Sequence, residues 1–310
     1  MGNGVAVLIA GPTASGKSAL ALRLAERLGG VVINADSMAV YRDLSVLTGR
    51  PGAEDLARAP HRLYGHRDAA EPHSLGRWLE DAAFEIRDAR ARGAVPVVVG
   101  GTGLFFKALT QGLSPMPPVP DEVRARVRAL ARGADAAALH ARLAALDPAT
   151  AAGLRPSDPQ RILRALEVFE ATGRPLAAFQ AVRSPPTLPM SGAVALALAP
   201  ERATLRGAID ARFDAMMARG ALDEVRRLGA RGLDPGLPAM RALGVPPLLD
   251  HLAGRAGLDE AVARSKAETR AYAKRQDTFA RRQLAGFASA APRDGEATIL
   301  ALLNTRRPGP

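Results

Sequence analysis

A chain of 310 residues, 47% of them apolar, can bury one large core or two smaller ones, which excludes a disordered chain. Lys and Arg outnumber Asp and Glu by 42 to 31, a formal charge of +11 that favours an anionic partner, either nucleic acid or a phosphorylated metabolite. The absence of Cys excludes disulfides, thiolate zinc sites and cysteine nucleophiles. Apolar stretches such as Ala193 to Pro200 fall far short of the ~20 residues that span a bilayer. The first apolar run, Val5 to Ala10, has no basic lead-in and ends in a glycine-rich turn, unlike a signal peptide. The expectation is a soluble, cytoplasmic protein.

That turn is GPTASGKS, and it fits G-x-x-x-x-G-K-[ST] at every fixed position. It lies between a strand-like run, Val5 to Ala10, and a helix-like run, Ala19 to Leu28, the context in which a phosphate loop works. Gly11 and Gly16 let the backbone turn so that the N–H groups of Pro12–Ser18, proline excepted, cradle phosphate oxygens in front of a helix N-terminus. Within the loop, Thr13, Ala14 and Ser15 line the cradle, Lys17 reaches a terminal phosphate and Ser18 offers a hydroxyl to Mg2+. A nucleoside triphosphate or a diphosphate fits equally well.

Val31 to Ala35 is a second buried strand, ending in Asp36-Ser37. In a parallel sheet such an end faces the ligand crevice, where Asp36 serves as a base or metal ligand, or caps the next helix. The turn Thr48 to Pro51 carries Arg50, read as a surface cation. His61, His66 and His73 are spaced by five and seven residues, which does not match a ligand pair on one helix face, so they are read as loop histidines rather than metal ligands. A helix follows over Leu75 to Arg92. A third strand, Val95 to Val99, ends in Gly100-Gly101-Thr102-Gly103, where an NTPase usually carries an acid for Mg2+. The glycines suit close approach of a substrate backbone or a plain tight turn.

Proline-rich segments at Ser114 to Pro120 and Ser184 to Pro189 bracket Ala-rich helical sequence. They divide the chain into a first core part over 1–115, an inserted helical subdomain over 116–184, and a second core part over 185–310. Inside the insert, Asp158-Pro159 opens a helix that Gly173 closes, with Ile162, Leu163, Leu166 and Phe169 on its apolar face; the pattern leaves open whether it packs in the insert or on the core. Gln160, Arg161 and Arg164 group at its start. Ala193 to Ala199 resumes the sheet, and the next helix carries Asp210, Arg212, Asp214 and Arg219. Arg212 either faces the crevice or pairs with a neighbouring acid. Leu258 to Phe287 is a long helical stretch in which Lys266, Arg270, Lys274 and Arg281 follow helical spacing. Seven basic residues stand against two acidic ones between Val262 and Phe287, which raises the case for contact with a nucleic-acid backbone.

Taken together, GPTASGKS, NADSMAVYRDLSVLTGRP (34–51), VVVGGTGLFFKALTQGLSP (97–115), DPQRILRALEVFEATGRPL (158–176), the 210–213 segment and AKRQDTFARRQ (273–283) resemble the tRNA dimethylallyltransferase family, also called tRNA isopentenyltransferases, in its bacterial form without a zinc module. The resemblance implies an α/β fold with a phosphate-loop parallel sheet, helices on both faces and an inserted helical subdomain. It implies transfer of a dimethylallyl group from dimethylallyl diphosphate to N6 of the adenosine at position 37, 3' of the anticodon, in tRNAs reading codons that begin with U. By the same resemblance Asp36 is the catalytic base; Thr13, Lys17 and Arg212 act on the diphosphate with Mg2+ on Ser18. Asp36, Ser37, Met38, Ala39, Thr102, Arg124, Gln160, Arg161, Ile162, Leu163, Arg164, Lys274 and Arg275 match positions that contact the tRNA anticodon stem-loop. A monomer is expected. The chain departs from the family pattern at Val245-Pro246-Pro247 and at Phe279, where Trp is frequent. An adenylate isopentenyltransferase and a small-metabolite kinase are the alternative readings.

Overall fold

The computed structural model describes residues 4–306, which divide into two compact units: one built from the first 110 residues and those from Thr187 onward, the other from Gln111–Pro186. The first unit holds six strands, β1 (Ala6–Ala10), β2 (Gly30–Asn34), β3 (His61–Arg62), β4 (Val95–Gly100), β5 (Ala193–Leu198) and β6 (Ala288–Ala290). All pair in parallel, in the order β3-β2-β4-β1-β5-β6. Strands buried on both faces need continuous apolar runs, and β1 is buried at all five positions.

Alternation along β1 sends its side chains into two separate layers. Leu8 joins Ile33, Val98, Trp78, Ile86 and Phe106 on one face; Val7 and Ile9 join Leu20, Leu24, Val97, Val99 and Ile299 on the other. Register places Ile9 beside Val99 and beside Leu196, so the carboxyl ends of β1, β4 and β5 finish level. A third apolar cluster lies beneath residues 38–47, where Val40, Tyr41 and Leu44 pack on Phe213, Val225, Leu228, Val245 and Leu248. The Val245-Pro246-Pro247 departure is absorbed here. Gly244, at φ 88°, turns the chain, and prolines in the first turn of the Val245–Leu252 helix need no N–H partner.

The second unit is a small helical bundle of Asp121–Ala131, Ala136–Leu146, Pro148–Ala152, Pro159–Thr172 and Leu176–Gln180. Asp158 caps the Pro159–Thr172 helix by accepting from the Arg161 N–H, and Gly173, at φ 66°, ends it. Ile162, Leu166 and Val168 of that helix join Val123, Val127 and Leu143 in the unit's own core. Ile162 is fully buried, so its side chain cannot touch a partner; it fixes the positions of exposed Gln160 and Arg161 instead. Arg161 pairs with Asp158, Arg164 with Glu167 and Arg124 with Asp121, all within their own helices or caps.

Candidate active site

The carboxyl ends of β1, β2 and β4 converge on a cavity of about 380 Å3, lined by Thr13 to Ala19, Asn34, Asp36, Thr48 to Arg50, Arg212 and Arg219. Cations and two carboxylates, Asp36 and Asp55, therefore share one chamber. Inside the loop Ala14 adopts φ 61° and Gly16 φ 81°, the left-handed backbone that curls successive N–H groups inward. Ser18 lies exposed at the start of the Lys17–Leu28 helix, whereas the Oγ of Ser15 is buried without a hydrogen-bond partner.

Lys17 folds back over the loop, its Nζ donating to the Pro12 carbonyl at 3.1 Å. Burial, then the nearby Arg212 charge, pushes its pKa down to about 8, while Asp36 pulls the other way. Arg212 turns into the crevice. Its Nη1 donates to Thr13 Oγ1 at 2.6 Å and its Nη2 to the Thr48 carbonyl at 3.4 Å. Burial also lowers Arg212, and Asp36 opposes that shift. Gly49, at φ 61°, has no side chain because the Arg212 guanidinium fills the space.

Asp36 is held from three sides. Its N–H donates to Asn34 Oδ1 at 2.9 Å, and Asn34 Nδ2 returns a bond to the Asp36 carbonyl, also at 2.9 Å. Asn34 is itself fixed by Trp78, whose Nε1 donates to its carbonyl at 2.8 Å. The Oδ1 of Asp36 accepts from Met38 and Ala39 N–H at 2.9 and 3.3 Å, a cap-like turn, yet the 36–40 segment that follows is not a helix. Asp36 lines the cavity from this turn. Ser37 N–H donates to Thr102 Oγ1 at 3.1 Å, which joins the ends of β2 and β4.

The glycine-rich end of β4 is filled by the protein itself, which corrects the expectation of a substrate backbone there. A Cβ on Gly100 would collide with the Ala35 backbone, one on Gly101 with Gln276, and one on Gly103 with the Phe279 ring. Gln276 and Phe279 belong to the Leu258–Gln283 helix. Gln276 Oε1 accepts from the Thr13 N–H at 2.9 Å and its Nε2 donates to the Gly101 carbonyl at 2.8 Å, so one buried amide clamps the phosphate loop to β4. Tyr272, a turn earlier, lies near Thr102 and Gln276, and burial pushes its pKa up to about 12.

Sequence reasoning missed two groups. Gln276 looks like a solvated residue inside a basic run. Glu224 looks like the outer face of a helix, but it is buried and accepts the N–H groups of Ser45, Val46 and Leu47 at 2.6 to 2.9 Å. That grip shapes the loop carrying Thr48 to Arg50. Arg50 is no surface cation: it lines the cavity and donates to the Tyr41 and Arg42 carbonyls.

The basic stripe of the long helix divides in two. Lys266 and Arg270 pair with Asp214 and Asp210 at 2.6 Å each, fastening this helix to Arg202–Ala218. Lys274 and Arg275 stay exposed and, with Thr278, Phe279, Arg282 and Gln283, form a groove of about 320 Å3.

A phosphate loop, a carboxylate at the next strand end and no strand-end acid on β4 define a group transferase of the phosphate-loop α/β class. The chain matches the IPP transferase family over residues 39–283 and the isopentenyl transferase family over residues 4–69. It is 62% identical over 296 residues to a tRNA dimethylallyltransferase of Methylocella silvestris, covering 96% of this chain and 98% of that one. It is 58% identical to the enzyme of the same name from Beijerinckia indica over 96% of this chain and 99% of that one. Among solved structures it resembles a full-length tRNA isopentenylpyrophosphate transferase from Bacillus halodurans (32% identity, TM-score 0.68, 97% and 95% of the chains covered). It also resembles a eukaryotic dimethylallyltransferase acting on tRNA (26% identity, TM-score 0.80, 98% and 80% covered). The chain belongs to the tRNA dimethylallyltransferase family, and that kinship favours the tRNA enzyme over the adenylate and kinase alternatives.

Proposed function

We propose that this prenyltransferase moves a dimethylallyl group from dimethylallyl diphosphate to N6 of adenosine 37 beside the tRNA anticodon, in tRNAs reading codons that begin with U. In this reading N6 attacks C1 of the dimethylallyl group, the N–C bond forms as the C1–O bond breaks, and diphosphate leaves. Asp36 accepts the N6 proton. The loop N–H groups, Lys17, Thr13 and Arg212 take the charge that develops on diphosphate. The observation that carries the reading is the single cavity lined by Asp36 together with Lys17 and Arg212.

The hard oxygen donors on that wall, Ser18 hydroxyl and Asp55 carboxylate, fit Mg2+ better than a softer metal. Bound there, Mg2+ would supply further neutralisation of the leaving diphosphate. A target base must leave its stack to enter such a cavity, which a single-stranded anticodon loop permits cheaply. Ser37, Met38, Ala39 and Thr102 border the carboxylate. Lys274 and Arg275 are proposed to follow the RNA backbone, as are Arg124, Gln160, Arg161, Leu163 and Arg164 of the second unit. The enzyme works as a cytoplasmic monomer in this reading, and no helix among the described residues is long and apolar enough to cross a membrane.

The test mixes protein, Mg2+ and an anticodon stem-loop with dimethylallyl diphosphate or with ATP, then weighs the RNA. A mass gain of one dimethylallyl group with the diphosphate donor, reduced by ~10^2 to 10^4 in rate in Asp36→Asn, supports the reading. Unmodified RNA with ATP consumed overturns it.

A further inference from the structure

Two of the three histidines read from their spacing as loop residues do converge, because the third partner, Asp81, comes from the helix that begins just after His73. His66 Nε2 lies 3.3 Å and His73 Nε2 4.0 Å from the same Oδ2 of Asp81, on the Leu75–Ala91 helix. One donor atom from each residue lies within 4.8 Å of the others. None of the three lines the phosphate-loop cavity.

Hydrogen bonding accounts for Asp81 and for Nε2 of His66, but not for His73. The His73 side chain is 1% exposed, and neither of its ring nitrogens has a partner. His66 Nδ1 is also buried and unpartnered. A protein that encloses a ring with two polar nitrogens and bonds neither has left them for something else. His61, by contrast, is satisfied by the Ala59 carbonyl at 2.9 Å.

We propose that His66, His73 and Asp81 form a binding site for a divalent transition-metal ion of the zinc class. Imidazole nitrogen and carboxylate oxygen are the donors such ions take, and ligands about 2.0 to 2.2 Å from a tetrahedral ion stand roughly 3.3 Å apart. The His66 to Asp81 separation already has that value, and His73, at 4.0 Å from the same oxygen, needs to close on Asp81 by less than an ångström. Arg67 is the competitor: its Nη2 donates to Asp81 Oδ2 at 2.7 Å and would shift to the other carboxylate oxygen. An ion here ties the 63–74 segment to the helix that carries Trp78, and His73 N–H already donates to Tyr41 Oη at 3.3 Å. Its role is therefore to stiffen the support of the Asn34–Asp36 turn.

The full-length protein, stripped with chelator and dialysed, is titrated with Co2+ and then Zn2+. The expected result is one equivalent of Co2+ with the visible bands of a tetrahedral nitrogen and oxygen site, displaced by Zn2+, and a rise in Tm. Because His66 and Asp81 are each a quarter exposed, His66→Gln and Asp81→Asn should fold; each should weaken uptake at least tenfold, while Ser18→Ala keeps the cobalt bands. Absence of stoichiometric uptake at 100-fold molar excess, or unchanged uptake in His66→Gln, overturns the proposal.

Discussion

The Thr13 N–H donates to Oε1 of Gln276 at 2.9 Å, across 263 positions of chain. The same amide holds Gly101, so the phosphate loop and the end of β4 are kept at a fixed separation by one side chain. Gln276→Leu preserves bulk and removes both bonds, leaving one buried and one half-buried backbone group unpaired, at about 1 to 3 kcal/mol for the buried one and less for the other. The expected outcome is a drop of ~10 to 100-fold in kcat/KM for the diphosphate donor with a lower Tm, read from steady-state kinetics and thermal melts. Unchanged kinetics would mean that the clamp is decorative.

Arg212 donates from two nitrogens to two different segments, Thr13 and Thr48. Lysine supplies the charge but not the fork. Arg212→Lys should lower kcat by ~10^2 while tRNA affinity, measured by filter binding, changes little. A large loss of tRNA binding with normal kcat would move Arg212 out of the diphosphate site.

Burial, then the Arg212 charge, pushes the Lys17 pKa down to about 8 from an ordinary 10.5. Below that pH it is charged and grips a diphosphate; above it the grip fades. Affinity for inorganic pyrophosphate should fall by up to about tenfold per pH unit as pH rises past 8, with proton uptake on binding seen by calorimetry in buffers of differing ionisation enthalpy. Lys17→Met should bind weakly and lose the slope. The stability effect has the opposite direction: a depressed lysine costs stability in full below 8, and the cost is relieved as pH climbs towards 10.5.

Glu224 carries three backbone N–H bonds and little water. Glu224→Ala should destabilise by ~3 kcal/mol or more in urea unfolding, with loss of activity from the released 45–50 loop. Glu224→Gln, which keeps one acceptor oxygen, should fall between.

The parts of the site nearest in sequence to a strand end were legible beforehand. An apolar run that stops at GPTASGKS, or at Asp36, announces both its strand and the crevice beyond it, because local pattern and turn chemistry suffice. Gln276, Glu224 and Asp81 gave no such signal. Each sits on a helix where a polar residue looks solvated, and its purpose depends on a partner outside that helix. β3 and β6, of two and three residues, are too short to carry a period. Arg212 stood between two readings that only the crevice could separate, and the Pro159–Thr172 helix could not be assigned to either unit until its apolar face met Val127 and Leu143.

The Thr13 to Gln276 clamp also sets a schedule. A ribosome adding ~5 to 20 residues per second needs roughly tens of seconds to travel between the two positions. Throughout that interval the emerging chain has the glycine loop and its lysine but not the amide that braces the turn. A nascent chain released early would therefore carry the signature of a phosphate binder without its competence, and the enzyme first gains a finished loop only when its last quarter is made.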